Sequence, residues 1–428
     1  MATDVGTSGR VAVEIPRARG LVSAIAWRNL WRNARRTWLT IGGIAFAVLL
    51  LLVVRSIQNG MFTMMIDSGT RLLSGHVQIQ HPEYEADPSL RHTIADASAV
   101  ARRVAMLPHV AAVGQRASAH ALVSFGERSY GAQVMGVEPA AETALSTLPS
   151  SLRGGRYVQN FRDAVVGAGL ARDLEAKVGD EIVVLGSTRD GTVAAMSATL
   201  VGVFETGIAD VDRSVVQVPL PAFQEAFGLG DEAQAIVVRL DDIDRIDAFV
   251  AAGAGVVAGA GDRLRWLSWR DLMPEVVQMI QLKRVSTSLF FAILSLLVTF
   301  SAFNTFVMTV FERRREFGVL LAVGMKPARI LTMVEIEALC LATLGIAIGL
   351  VLGLAIVAIV GRVGIPLGQA GAQLLHSFHL PDRLYAVLSP DGLLLGPILM
   401  LVVIPLAAFI PALRILRLKP IDAMRDGA

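Results

Sequence analysis

The sequence predicts an α-helical membrane protein with four transmembrane helices and a large mixed α/β extracytoplasmic domain between helices 1 and 2. Three observations predict it. The 428 residues are 54% hydrophobic and only 18% charged, with a mean hydropathy of +0.56, too apolar for a water-soluble chain of this length. Four uncharged or nearly uncharged runs are each long enough to cross about 30 Å of hydrocarbon. Between the first two runs lie roughly 230 polar, mixed residues, enough for a core of their own. A net charge of +2 gives no electrostatic case for nucleic acid. The single cysteine, Cys340, lies inside an apolar run, so it builds no disulfide framework or thiolate metal site and reads as a packing residue.

Residues 1–20 mix Gly, Ser, Thr, Arg and Pro without periodicity and read as a disordered cytoplasmic tail. Residues 21–36 place Leu21, Ile25, Trp27, Leu30 and Trp31 on one face, with Arg28, Arg32, Arg35 and Arg36 on the polar side and at the end. That composition suits an interfacial elbow helix. The first span, 37–55, carries no charge between Arg36 and Arg55. From 56 to 284 the chain is the extracytoplasmic domain, read as two small lobes. Strands are expected at 76–80, 164–167, 181–185, 198–204, 215–220 and 235–240, and helices at 95–107 and 221–230. Residues 56–73 and 268–284 read as helical stalks joining this domain to the spans, the second with an apolar stripe at Leu272, Val276, Met279 and Ile280.

The second span covers 285–311, the third 331–361 and the fourth 392–413, with Pro397 and Pro405 expected to kink the last. Gly345, Gly349 and Gly353 recur at four-residue spacing in the third and permit close helix packing. Glu335 and Glu337, just before its apolar stretch, read as headgroup-level charges. Basic residues concentrate before the first span, in the 312–330 loop and in the 414–428 tail, whereas the 362–391 loop holds only Arg362 and Arg383. The positive-inside rule then places both termini and the 312–330 loop in the cytoplasm.

The 312–330 loop is the centre of the functional reading. Phe317, Leu320, Leu321 and Met325 fall on one face of a short helix, and Gly324 and Pro327 end it. Arg313, Arg314, Arg315, Lys326 and Arg329 surround it, which fits both a plain topology-setting loop and a surface that receives a push from a cytoplasmic partner. Searches for chemistry come back empty. No G-x-x-x-x-G-K-[ST] run, no G-x-S-x-G elbow and no paired-carboxylate site is visible, and the chain reads as non-enzymatic. His76 and His81 are set on opposite faces of one strand, and His376 and His379 lack a third ligand, so no metal site is expected.

The pattern E-R-x-R-E-F-G-x-L-x-A-x-G, matched by Glu312, Arg315, Glu316, Gly318, Leu320, Ala322 and Gly324, resembles the coupling segment of FtsX-type ABC transporter permeases, the superfamily of MacB and of LolC and LolE. The entry RNLWRNARRTWLTIGGIAFAV at 28–48 is similar to that family's first span. So are Gly155, Arg156, Leu170, Ala171, Lys177, Val178, Gly179 and Asp180 in the outer domain, where the glycines read as structural, and Pro420, Ala423 and Arg425 in the tail. The resemblance implies a bacterial inner-membrane permease subunit that binds no cofactor itself and works with a separate ABC ATPase holding ATP and Mg. It implies ATPase coupling through Glu312, Arg315, Glu316, Phe317, Gly318, Leu320, Leu321, Gly324 and Met325, and a second permease copy or paralogue as partner. Within the family the chain looks most like the LolC/LolE lipoprotein-release permeases, towards which SGHVQIQHPEYEADP leans, with membrane lipids and a periplasmic lipoprotein carrier as partners. A MacB-like exporter of peptides or drugs and an FtsX-like permease signalling to a cell-wall hydrolase are the alternatives. Phe46, Leu50, Val54, Phe290 and Leu294 are the candidates for facing substrate between the first two spans.

Overall fold

The computed structural model describes residues 26–257, 264–366 and 383–417. The tail 1–20, residues 21–25 of the expected elbow, His376, His379 and the closing 418–428 motif lie outside the described residues. The chain forms two compact units. One comprises the chain up to Met61, Lys283–Ile365 and the chain from Leu384 on; the other is built mainly from Phe62–Leu282.

Among the described residues four helices are long and apolar enough to cross a membrane: Ala26–Ser74, Pro274–Glu312, Pro327–Val363 and Pro390–Leu416. The first passes through a 3₁₀ turn at Trp31–Asn33 and ends in a π-helical turn at Thr70–Ser74, with no break where the sequence reading separates elbow, span and stalk. The second likewise runs Pro274–Glu312 without interruption. At 1.5 Å per residue it is about 58 Å long, roughly twice the hydrocarbon thickness. Its Leu289, Phe290, Ile293, Leu296, Leu297 and Phe300 are all exposed at helical spacing, an apolar stripe that water would penalise and lipid accepts. Trp27, Trp31 and Trp38 form an edge-to-face ladder with ring centroids 5.9 Å apart, the aromatic composition of an interfacial belt.

The three spaced glycines bring the third helix against the first within this chain. A Cβ on Gly345 would lie 2.7 Å from Ile44 Cβ, and one on Gly349 would lie 2.6 Å from the Ala45 carbonyl oxygen, so any side chain there forces the helices apart. Packed around that seam is one apolar core that includes Ile41, Ile44, Phe306, Phe317, Met333 and Ile404. Cys340 packs beside it, half-buried.

The second unit carries a ten-stranded mixed sheet. Its strands are β1 (Val77–Gln80), β2 (Val110–Phe125), β3 (Arg128–Val137), β4 (Leu152–Gly155), β5 (Asp163–Gly167), β6 (Glu181–Ser187), β7 (Val193–Phe204), β8 (Val215–Pro219), β9 (Ala235–Leu240) and β10 (Arg265–Ser268). They are ordered β10-β1-β9-β2-β3-β8-β5-β7-β4, with β6 bridging β2 and β7. Only the β3–β8 and β5–β7 pairings are parallel among the described strands. The six strands expected from sequence are present, but the central β2–β3 hairpin was not foreseen. It turns on Gly126 and Glu127, with positive φ at Gly126 alone, as a type II′ turn demands. Instead of two separate lobes, several apolar cores share this one sheet. Leu170, Phe223 and Phe227 lie in one, and Ile79, Ile236 and Trp269 in another.

The family-like residues of this unit are structural. Gly155 has φ +80°, and a Cβ there would stand 2.1 Å from the Val201 oxygen. Arg156 donates to both carboxylate oxygens of Asp163 at 2.5 and 3.0 Å, and the Gln159 and Asn160 N–H groups donate to the same carboxylate at 2.9 and 2.8 Å. Asp180 accepts the Lys177 N–H at 2.7 Å, closing the K-V-G-D turn. Burial alone would raise the Asp163 carboxyl, but Arg156 and the two backbone donors outweigh it and bring it from 3.8 down to about 2.

A carboxylate whose pKa falls on folding stabilises above its unfolded value and loses that contribution as pH drops through the folded one. Asp163 therefore contributes fully above about pH 4 and progressively less towards about pH 2. With Arg156 partly solvated, the contribution is about 1–2 kcal/mol. Asp163→Asn is expected to lower the unfolding free energy at neutral pH by that amount, and to flatten its acid dependence, as measured by urea titration followed through strand circular dichroism.

Candidate functional site

The segment after the second long helix is shaped by one residue that leaves helical geometry. Arg313 has φ −97° and ψ 11°. Its N–H still reaches the Thr309 oxygen, and its own oxygen accepts the Phe317 N–H, so a short helix, Arg314–Ala322, continues at once. That helix stops in a Schellman arrangement: Met325 N–H donates to Leu320 O and Gly324 N–H to Leu321 O, both at 3.0 Å, with Gly324 at φ +98°. Lys326 then caps the third long helix, and Pro327 occupies its first turn, where the missing N–H costs nothing.

Arg313 points inward. Its Nη1 lies 2.9 Å from both oxygens of Glu337 on the third long helix, and its guanidinium carbon sits 5.1 Å from the Phe317 ring centre. Glu337 also accepts from Asn29 Nδ2 at 3.1 Å, which brings the start of the first long helix into the same cluster. Both charges are buried, Arg313 at 7% and Glu337 at 4% exposure, so Glu337 depends on Arg313 for neutralisation, while Arg313 also reaches Glu316 Oε2 through Nε at a longer 3.3 Å. Glu337 is therefore a buried structural partner and not the headgroup-level charge that its sequence position predicts.

Two exposed ion pairs surround this one. Arg32 reaches Glu316 at 2.7 Å, and Arg36 reaches Glu312 at 2.9 Å while also contacting the Thr305 oxygen and Thr309 Oγ1. Burial pushes the Glu316 carboxyl up, but hydrogen bonds from Arg32 and Arg313 outweigh it and hold it below the usual carboxylate range. The short helix is thus fastened to the first long helix by Glu316, to the third by its cap residue Arg313, and to the core by Phe317 and Gly318, while the Arg36–Glu312 pair ties the end of the second long helix to the first.

This geometry sorts the coupling residues expected from sequence. Phe317 and Gly318 are buried, and Leu320, Leu321 and Met325 pack half-buried on the core, so that face is already occupied. Glu312 and Glu316 are engaged by arginines of the first helix. Arg315 and Gly324 are exposed. The outward face is Arg315, Val319 and Val323, spaced by four, with the two valines 49% and 83% exposed. Both valines escaped the sequence reading. Their signal was an apolar i, i+4 pair on the side of the helix opposite Phe317 and Leu321.

The five candidate substrate-facing residues differ in burial. Phe46 and Phe290 are exposed, Leu50 is half-buried, and Val54 and Leu294 pack on the core. A groove of about 820 Å³ lies between the second and fourth long helices, lined by residues including Phe291, Ser295, Leu395 and Ile398.

Residues 37–253 match the family described as MacB-like periplasmic core domain, and residues 288–420 match FtsX-like permease C-terminal. The lipoprotein-releasing system transmembrane protein LolC of Neisseria meningitidis is 24% identical, covering 91% of this chain and 94% of that protein. The macrolide export ATP-binding/permease protein MacB of Nitrobacter winogradskyi is 31% identical over 230 residues, 53% of this chain and 32% of its own length. Among solved structures, the periplasmic region of MacB from Actinobacillus actinomycetemcomitans aligns with TM-score 0.36 and 13% identity over 47% of this chain and 92% of that one.

The three ion pairs differ in burial and so should differ in weight. Glu337→Ala, which leaves the buried Arg313 guanidinium with only its longer contact to half-exposed Glu316, is expected to cost up to about 3–5 kcal/mol of stability. Arg32→Ala, at an exposed pair, is expected to cost less than about 1 kcal/mol. Unfolding of the detergent-solubilised chain under matched conditions measures both.

Proposed function

This chain belongs to the family of FtsX-like permeases with a MacB-like periplasmic core domain, and we propose on that premise that it is the transmembrane subunit of an ABC transporter that releases lipoproteins from the inner membrane to a periplasmic carrier. A separate ATPase chain supplies ATP hydrolysis with Mg, and this chain contains no G-x-x-x-x-G-K-[ST] run of its own. Both termini and the 312–330 segment face the cytoplasm, as the distribution of arginine and lysine favours. Four helices enclose little space, so the working unit pairs this chain with a second copy or a paralogue.

The observation that carries the mechanism is the short Arg314–Ala322 helix, outward-facing through Arg315, Val319 and Val323 and fastened inward through Arg313 to Glu337. A partner that moves this helix moves the starts of the first and third long helices with it, because breaking the buried pair costs more than displacing the helices together. Release of lipoproteins is favoured over export because the LolC relative matches along nearly its whole length, whereas the MacB relative matches along about a third of its own. The higher local identity to MacB supports export of a peptide or drug as the second reading.

Depletion of this chain followed by separation of inner and outer membranes tests the proposal. Lipoproteins are expected to accumulate in the inner membrane. A rescue copy carrying Val319→Asp and Val323→Asp is expected to insert normally and to leave them stranded. Normal lipoprotein sorting together with retention of a secreted peptide or drug would move the assignment to export.

A further inference from the structure

The turn-rich segment that follows β1 brings together three potential ligands that the function proposed above does not use. His81, Glu83 and His92 each offer a ligand atom, and all three atoms lie within 4.8 Å of one another. His81 lies close in sequence to His76, but its partner in space is His92. His76 is elsewhere engaged, its Nδ1 accepting the Leu240 N–H at 3.1 Å. The His81 and His92 rings are parallel, 9° between planes and 5.2 Å between centres.

The hydrogen bonding of His92 carries the argument. Its Nδ1 lies 2.9 Å from the Asp87 carbonyl oxygen, which can only accept, so Nδ1 carries a proton. Its Nε2 faces Glu83 Oε2 at 3.2 Å. With the ring neutral, Nε2 and the carboxylate are both lone-pair donors, and a positive charge must lie between them. A proton alone would satisfy that pair, but it gives no role to the third ligand, His81. Two ligands at about 2.0–2.1 Å from a tetrahedral ion stand roughly 3.3 Å apart, the spacing observed between Nε2 and Oε2. The Nδ1–H bond to a backbone carbonyl is also the outer contact that orients a metal-bound imidazole. The Glu83 N–H sits 3.3 Å from His81 Nδ1, at the long end of hydrogen bonding, and competes weakly for that ring.

The scaffold is braced independently. Glu85 pairs with Arg265 at 2.5 Å, Gln234 Nε2 donates to the Ser89 oxygen at 3.2 Å, and Ile94 N–H donates to the Ala233 oxygen at 2.7 Å. We propose that His81, Glu83 and His92 form a binding site for a borderline divalent cation of the zinc class, with water completing the coordination, and that the ion clamps the 81–92 segment. Two imidazoles and one carboxylate, without thiolate, favour such an ion over calcium or magnesium.

Titration of Zn²⁺ into the chelator-treated full-length chain, followed by calorimetry, tests the site. One ion per chain is expected, bound at least about tenfold more weakly in Glu83→Gln and about a hundredfold more weakly in a His81→Ala, His92→Ala double variant. The wild-type chain loaded with Co²⁺ is expected to show the visible absorption of tetrahedral nitrogen and oxygen coordination, a readout that needs no variant. Absence of Zn²⁺ binding to the wild-type chain, or binding unchanged in the double variant, would overturn the proposal.

Discussion

The buried pair between Arg313 and Glu337 constrains the helical unit more than any other contact described. A charge held away from water is tolerated only when a partner neutralises it in place, and here each partner sits on a different helical segment. That requirement fixes the rotation of the third long helix, which must present Glu337, and the position of the residue that breaks helical geometry after the second. Asn29 extends the constraint to the first long helix. The remaining features follow: Phe317 beneath the guanidinium, Gly318 in close packing, and the Schellman stop that lets the next helix begin at Pro327.

The same unit separates polar specificity from apolar solubility. Its seam is built from small residues, Gly345 and Gly349 pressed against Ile44 and Ala45, because lipid offers no hydrophobic gain for bringing helices together and close contact must supply the attraction. Its outer surface is the exposed stripe from Leu289 to Phe300. The outer domain obeys water's rules instead, with a sheet shared by several apolar cores and carboxylates such as Asp163 held ionised by arginine and backbone donors.

Much of the architecture was legible in the residues because burial in lipid leaves a loud signal. Uninterrupted apolar runs located the four long helices, and strands such as Ile236–Val238, apolar on both faces, announced themselves. The β2–β3 hairpin did not, since Ala, Gly and Ser interrupt the valines of its strands, and pairing as much as propensity makes them strands. At the candidate site the short helix and its stop were readable from Gly324 and Pro327. Its outward face was not, because Phe317, Leu320, Leu321 and Met325 look like an exposed stripe until the core that covers them is seen. Glu337 misled for the same reason, its partner Arg313 being invisible as a contact in one dimension. His92 was missed because only the turns between 81 and 92 bring it beside His81.

The central claim is that the Arg314–Ala322 helix and the start of the first long helix move as one body. The most direct test joins Arg32→Cys to Glu316→Cys with a short thiol cross-linker, in a background where Cys340 is replaced, and follows ATP hydrolysis and substrate release in the reconstituted complex. If the two segments move together, both continue at the rate of the uncross-linked protein. Loss of both on cross-linking, restored when the link is cleaved, would show that the short helix swings against the first helix and would contradict that claim.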